Sequence, residues 1–152
     1  MISVRKAGPQ DCLRIWRWRN EPAVRKVSFQ TGKIPLAVHK AWYFKKIRDK
    51  KSQILIGRNT QGRPFGFARI DQQKAGKGEV HIAVTRAWRG KGLGLRLLER
   101  ACRYGFKQMR LKEITAQIKP DNPRSILVFE QAGFKQAGTK AGVSSFKLRR
   151  PS

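Results

Sequence analysis

Acidic residues are scarce in this sequence: nine Asp and Glu stand against 35 Lys and Arg, a formal net charge of +26 over 152 residues. The cations are spread along the whole chain, so the imbalance implies no basic tail or linker. It raises the local concentration of anions, from nucleic acid to phosphorylated small molecules, and says nothing about fold. A generally basic, solvated surface is the favoured reading, with a nucleic-acid partner kept as the weaker alternative. Cysteine is nearly absent. Cys12 and Cys102 lack metal-ligand spacing and read as buried free thiols, so no metal is expected. No apolar run reaches membrane-spanning length, and "MISVRKAGPQ" lacks the apolar stretch of a secretory signal, which favours a cytoplasmic location. Repeats, low-complexity tracts and linkers are missing too, so residues 1–152 read as one domain.

What is present suits a packed globule: 39% hydrophobic residues, with four Trp and eight Phe among them. "SVRKA" reads as a first strand. Asp11 is placed to cap a helix through "CLRIWRWRN", with Leu13, Trp16 and Ile15 facing inward. Glu21-Pro22 closes that helix or opens a turn. A second helix fits "LAVHKAWYFKKIRDK", with Val38, Trp42 and Ile47 on one stripe. The period then changes. "QILIG" and "FGFARID" form a hairpin across "RNTQGRP"; "DQQKAGKG" turns into the strand "EVHIAVT". A helix from about Gly92 to Met109, the strand "EITAQIK", a helix over "PRSILVFEQA" and a last hairpin, "FKQAG" to "VSSFKLR", complete the chain. Pro123 suits the first turn of its helix and Gly133 the C-terminal cap. Hairpins mixed with strand–helix–strand crossovers define an α+β, or mixed α/β, class around one mostly antiparallel sheet.

The segment "VTRAWRGKGLGLRLLERA" sets Gly90, Gly92 and Gly94 between a strand and a strongly helical run. A helix N-terminus leaves main-chain N–H groups unpaired and carries partial positive charge. Glycines let a phosphate approach those groups, and Arg89 and Lys91 add full charges, so "RGKGLG" reads as an anion cradle. The spacing is not that of a P-loop, because no Ser or Thr follows Lys91. Nor is it a dinucleotide fingerprint, because the glycines fall on alternate residues.

Arg89-Gly90-Lys91-Gly92-Leu93-Gly94 resembles the R/Q-x-x-G-x-G/A pyrophosphate loop of the GNAT superfamily of acyl-CoA N-acyltransferases. "NPRSILVFEQAGF" is similar to that family's downstream Asn-to-Gly-Phe stretch, with Asn122, Ser125, Gly133 and Phe134 in place. The resemblance covers Gly78 to Phe134 most clearly. It implies a GNAT-like fold, a mostly antiparallel sheet of about seven strands flanked by about four helices, with acetyl-CoA as the acyl donor. It further implies that Ile82, Ala83 and Val84 offer backbone to the acetyl and pantetheine groups and that residues 89 to 94 hold the pyrophosphate. Asn122, with Ser125 and Phe129 on the same helix, would line the pantetheine side.

Where many relatives carry Tyr, this chain has Phe129, which cannot donate a proton to the leaving thiolate and reads as packing. Gln117 stands where some relatives place Glu, and an amide cannot act as a base. Glu79 and His81 share one face of the cofactor strand by alternation and are the candidate proton acceptors. Each has a competing structural role, as an exposed strand-start acid or a hydrogen-bonded core histidine.

"WRNEP", with Val24-Arg25, Ser28, Ile34, His39, Trp42 and "IKPDN", resembles acetyltransferases that act on nucleotide-linked aminosugars such as the pseudaminic-acid precursor. Related patterns occur in acetyltransferases of ribosomal-protein N-termini. The resemblance implies Trp18, Arg19, Asn20, Arg25 and Gln117 as acceptor-binding residues, while Trp16 and Trp42 read as core. The acceptor expected is thus a small-molecule amine, in a protein that is a monomer or homodimer. The rival is a non-catalytic basic domain that binds nucleic acid, for which "WYFKKIRDKK" interleaves aromatics with cations.

Overall fold

In the computed structural model, which describes residues 1–152, seven strands form one sheet in the order β1-β2-β3-β4-β5-β7-β6. They are β1 (Ser3–Lys6), β2 (Ser52–Arg58), β3 (Pro64–Lys74), β4 (Lys77–Val84), β5 (Glu113–Ile118), β6 (Lys135–Lys140) and β7 (Val143–Arg149). Every neighbouring pair is antiparallel except β4 and β5. Five helices complete the α+β fold: α1 (Cys12–Arg19), α2 (Pro22–Val27), α3 (Leu36–Arg48), α4 (Leu93–Lys107) and α5 (Pro123–Gln131). None is long and apolar enough to cross a membrane. The class and the sheet expected from the sequence are both borne out. The extra helix is short α2, whose first position Pro22 pre-sets the helical φ where the sequence suggested only a turn.

Alternation of side chains divides the core in two. Ala68, Ile70, Val80, Ile114, Ala116 and Ile118 point to one face, where Leu97, Leu98, Ala101 and Phe106 of α4 and Phe129 of α5 close the larger core. Ile54, Ile56 and Phe67 point to the other face, against Ile15 and Trp18 of α1 and Tyr43 of α3. The helices α1 and α3 carry residues packed on β2 and β3, whereas Thr115 and Gln117 of β5 stay partly open on this side.

Two helical faces differ from the sequence reading. On α1 the inward residues are Ile15 and Trp18, whereas Leu13 is 44% exposed. On α3, Val38 is exposed and the buried pair is His39 and Tyr43, one step round the helix. Polar anchors decide this register: Tyr43 donates to Gly8 O at 2.7 Å, and His39 Nε2 lies 2.8 Å from Cys12 O. Hydropathy alone does not see them. Strand ends also run further than expected, because tight turns at Gly76 (φ 75°) and Gly142 (φ 79°) need little chain. Both thiols are buried, as expected.

Candidate active site

The parallel pair β4–β5 is hydrogen-bonded for only three residue pairs, Lys77 to Glu79 against Glu113 to Thr115. β3 follows β4 to its end, where Val84 pairs with Gly66. Beyond Glu79, therefore, β4 keeps one neighbour and the sheet splits. Thr85 N–H donates to Phe65 O, and antiparallel alternation then assigns the main chain of Ala83 and His81 to β3. The main-chain groups of Ile82 and Val84 face the split. Val84 O is met there by Arg89 Nε at 2.9 Å, so Arg89 folds back onto the strand end.

The split leads to the glycine turn. Gly90 and Gly92 have φ of 76° and 73°, in the left-handed region that glycine reaches at no steric cost. An added Cβ at either would meet nothing within 4 Å, so the turn is open above both. Gly92 is the N-cap of α4 and no side chain caps the helix. The N–H groups of residues 90 to 92 make no main-chain hydrogen bond. Gly94 lies within α4, and a Cβ there would sit 3.7 Å from Val84 Cγ2. The structure thus brings Ile82, Val84 and residues 89 to 94 together along one path, with Leu93 packed on the larger core as the helix start. Lys91 Nζ lies 5.9 Å from the Trp88 ring centroid. These donors and charges fit an elongated ligand that ends in a diphosphate.

Across the split, Asn122 is the N-cap of α5: its Oδ1 accepts from Ser125 N and its Nδ2 donates to Ser125 Oγ at 2.9 Å. Both side chains are therefore committed to each other. Phe129 is 4% exposed and packs edge-on against Phe134, with centroids 5.0 Å apart, which is the packing role the sequence suggested.

On the sheet face turned toward α1 and α3, His81 Nε2 and Glu79 Oε1 are 2.9 Å apart, and Gln73 donates to Glu79 Oε2. The hydrogen bond from His81 holds the Glu79 carboxyl below its ordinary range, outweighing a burial effect of opposite sign. An ionised carboxylate beside an imidazole with a third of its surface exposed is an arrangement that can take up a proton. Gln117, on the same face of β5, accepts from Ser145 Oγ at 2.8 Å.

The five expected acceptor residues separate. Trp18 is 9% exposed and stacks on Phe67, so its ring belongs to the smaller core. Asn20 accepts from Ile34 N and donates to Ile34 O and Trp16 O, and Arg25 donates to Asn20 O and Thr31 O. Their side chains brace the loop between α2 and α3. Trp16 joins them through Nε1 to Ile34 O, which leaves it only half-buried rather than in the core. Arg19 lies against α3: its Cζ is 4.1 Å from the Trp42 centroid, on whose ring Arg69 also sits at 5.2 Å. Burial and the charge of Arg69 lower the Arg19 pKa to about 10.

Three residues escaped the sequence reading. Glu21 accepts from Thr85 Oγ1 and from Arg86 N, tying the α1–α2 junction to the end of β4. Lys119 donates to Lys26 O and Ser28 O from the end of β5. The α2 segment therefore stands on both sides of the split and roofs it. Arg69 was legible only as a strand residue; its place opposite His81 comes from the β3–β4 register.

A sheet split at a parallel pair, with a bare glycine turn and helix start at its end, defines an acyltransferase fold. Residues 2–135 match the acetyltransferase (GNAT) domain model. The chain belongs to that family. It is 28% identical over 145 residues to an uncharacterised protein of Methanocaldococcus jannaschii, covering 93% of this chain and 29% of that protein; the chain spans less than a third of that relative's length. The fold superposes on a spermidine N-acetyltransferase of Vibrio cholerae solved with CoA and spermine, at a TM-score of 0.87 and 19% identity over 97% of this chain and 95% of that one. It is similar as well to an aminoglycoside acetyltransferase solved with coenzyme A and kanamycin: TM-score 0.84, 20% identity, 99% and 95% of the two chains.

Proposed function

We propose that the protein transfers an acetyl group from acetyl-CoA to a primary amine. The observation that carries this reading is the split between β4 and β5, which turns the main chain of Ile82 and Val84 toward a gap that runs into the open turn at Gly90 and Gly92. When bound, the coenzyme supplies a thioester whose acyl carbon accepts the amine and whose thiolate departs. Ile82 and Val84 would align its acyl and pantetheine portions and residues 89 to 94 its pyrophosphate, whereas Ala83, expected to share that role, has its main chain bonded to β3. Asn122 and Ser125, capped on each other, shape the opposite wall, with the Ser125 hydroxyl proton and the second Asn122 N–H unbonded within the chain.

His81 takes the proton of the incoming ammonium, and ionised Glu79 holds the imidazole in place through Nε2. Phe129 contributes no proton, so the thiolate leaves unassisted or through water.

The finer reading, a nucleotide-linked aminosugar as acceptor, draws support from cations and an aromatic plane on the acceptor face at Arg19, Arg69 and Trp42. Spermine and kanamycin, found in the neighbouring structures, are polycations, which such a face would repel. Two measurements test the proposal. Excess acetyl-CoA raises the melting temperature by mass action, and free thiol is released with aminosugar nucleotides more than with peptides or polyamines. Absence of both, with tight and salt-sensitive oligonucleotide binding instead, favours the nucleic-acid reading.

A further inference from the structure

Arg19 is a partly buried cation with no carboxylate. No acidic oxygen lies within 4.0 Å of it; its one protein acceptor is His39 Nδ1, at 3.0 Å. His39 is fully buried and its Nε2 must donate to Cys12 O, so Nδ1 is left to accept from Arg19. That fixes the neutral tautomer, and burial lowers the His39 pKa further. Arg19 thus gains orientation from His39 and no charge compensation.

The second guanidinium on the Trp42 ring sharpens the point. Arg69 uses Nε on Asp71 Oδ2, at 2.9 Å, and its terminal nitrogens have no protein acceptor. Asp71 is already shared with Lys46 and Ser52, and Glu79 with His81 and Gln73. Neither acid has a contact with Arg19. The C-terminal end of α1 and the Trp42 face explain why one arginine is tolerated here. Arg69 is held there by its ion pair with Asp71, which leaves its terminal nitrogens unbonded. Arg58 Nε is the one buried side-chain polar atom without a partner in the chain, so the unbonded donors of Arg19 and Arg69 reach solvent.

We infer that Arg19 and Arg69, both set against the Trp42 ring, form a clamp for an oxyanion, phosphate or carboxylate, carried by the acceptor itself. The inference rests on the acetyltransferase reading for the identity of the ligand as acceptor. Arg69 and His81 are directly opposed on β3 and β4, roughly 5.5 Å apart at Cα. The anion and the amine are then parts of one small molecule. Polyamines and polycationic sugars are excluded by the same charges that hold the anion.

Two readouts on the full chain test this. Crystals soaked in selenate, located by its anomalous signal, will show an ion within hydrogen-bond reach of both guanidinia, and no ion there in Arg19→Gln. Thiol release with matched acceptors then identifies the anion: glucosamine against glucosamine 6-phosphate, and β-alaninamide against β-alanine. One charged member is favoured by the native protein, and that preference falls about 10- to 100-fold in Arg19→Gln and in Arg69→Gln, as expected for a hydrogen bond to a charged group. Arg19→Lys restores little, because an ammonium cannot supply the forked pair of donors. Stabilisation by acetyl-CoA stays unchanged in every variant. A soak with no ion at the pair, or equal losses on charged and neutral acceptors, overturns the clamp. Failure of acetyl-CoA to stabilise the native protein overturns the acetyltransferase reading instead, and the soak still decides whether the anion site exists.

Discussion

Glu21 and Thr85, 64 residues apart in the chain, share a hydrogen bond of 2.6 Å between Thr85 Oγ1 and Glu21 Oε2. The second carboxylate oxygen accepts from Arg86 N at 3.0 Å. One side chain thereby fastens the α1–α2 junction to the strand that precedes the glycine turn. Thr85 is 8% exposed, so its hydroxyl has little water to fall back on. Replacing Glu21 with Ala is expected to lower stability by about 1.5–3 kcal/mol, measured by urea unfolding. It should also raise the KM of the acceptor more than that of acetyl-CoA. Equal KM values with an unchanged unfolding midpoint would show the fastening to be idle.

Glycines 90, 92 and 94 should not behave alike. Alanine at 90 or 92 is forced into the left-handed region at a cost of about 1–2 kcal/mol, although space is available. Alanine at 94 sits in a helix, where it stabilises by up to about 1 kcal/mol relative to glycine. Thermal melts without ligand separate the two classes. All three variants bind acetyl-CoA more weakly by titration, because each places a methyl group at the anion path.

The pair His81 and Glu79 sets a kinetic expectation. His81→Ala should reduce kcat by roughly 10²–10⁴-fold, the usual contribution of a positioned general base, while acetyl-CoA still stabilises the protein. Glu79→Gln leaves the imidazole but removes the carboxylate that holds its Nε2 at 2.9 Å, so kcat should fall less than in His81→Ala. An unchanged kcat in both variants would take these residues out of the chemistry.

Asp11 governs acid stability. Burial pushes its carboxyl up, but hydrogen bonds from Arg5 and Gly8, with the Arg5 charge, hold it below the ordinary value. Arg5 is bidentate, at 2.8 and 2.6 Å. A depressed folded-state pKa means that the stabilisation is complete above about pH 4, the unfolded value, and is lost as pH falls through the folded value. Asp11→Asn should therefore melt lower than the native chain at pH 7, with the difference shrinking below pH 4.

The glycine turn was legible because its chemistry is local: alternate glycines, two cations and a helix start lie within a few residues of one another. The sheet was legible for the same reason, since alternation and turn residues mark strands one at a time. Trp18 and Leu13 were not, because Ile15 satisfies an inward stripe under either rotation of α1, and the stacking partner Phe67 comes from a distant strand. Asn20 and Arg25 stood in the right segment, yet their roles depend on Ile34 and Thr31 in a loop that no periodicity describes. Charge showed the same limit. An excess of +26 was plain from composition, but which cation lacks a partner emerged only when β3, α1 and α3 converged on Trp42.

The seam between β4 and β5 has three rungs, so the sheet is two rafts joined at one end by a short hinge of hydrogen bonds and along one face by α4. A ligand threaded through the open end acts as mortar between them, and amide exchange at the far ends of both strands should slow when it is in place. The α2 segment, tied to the end of β4 through Glu21 and to the end of β5 through Lys119, is the strap that spans both rafts above that opening.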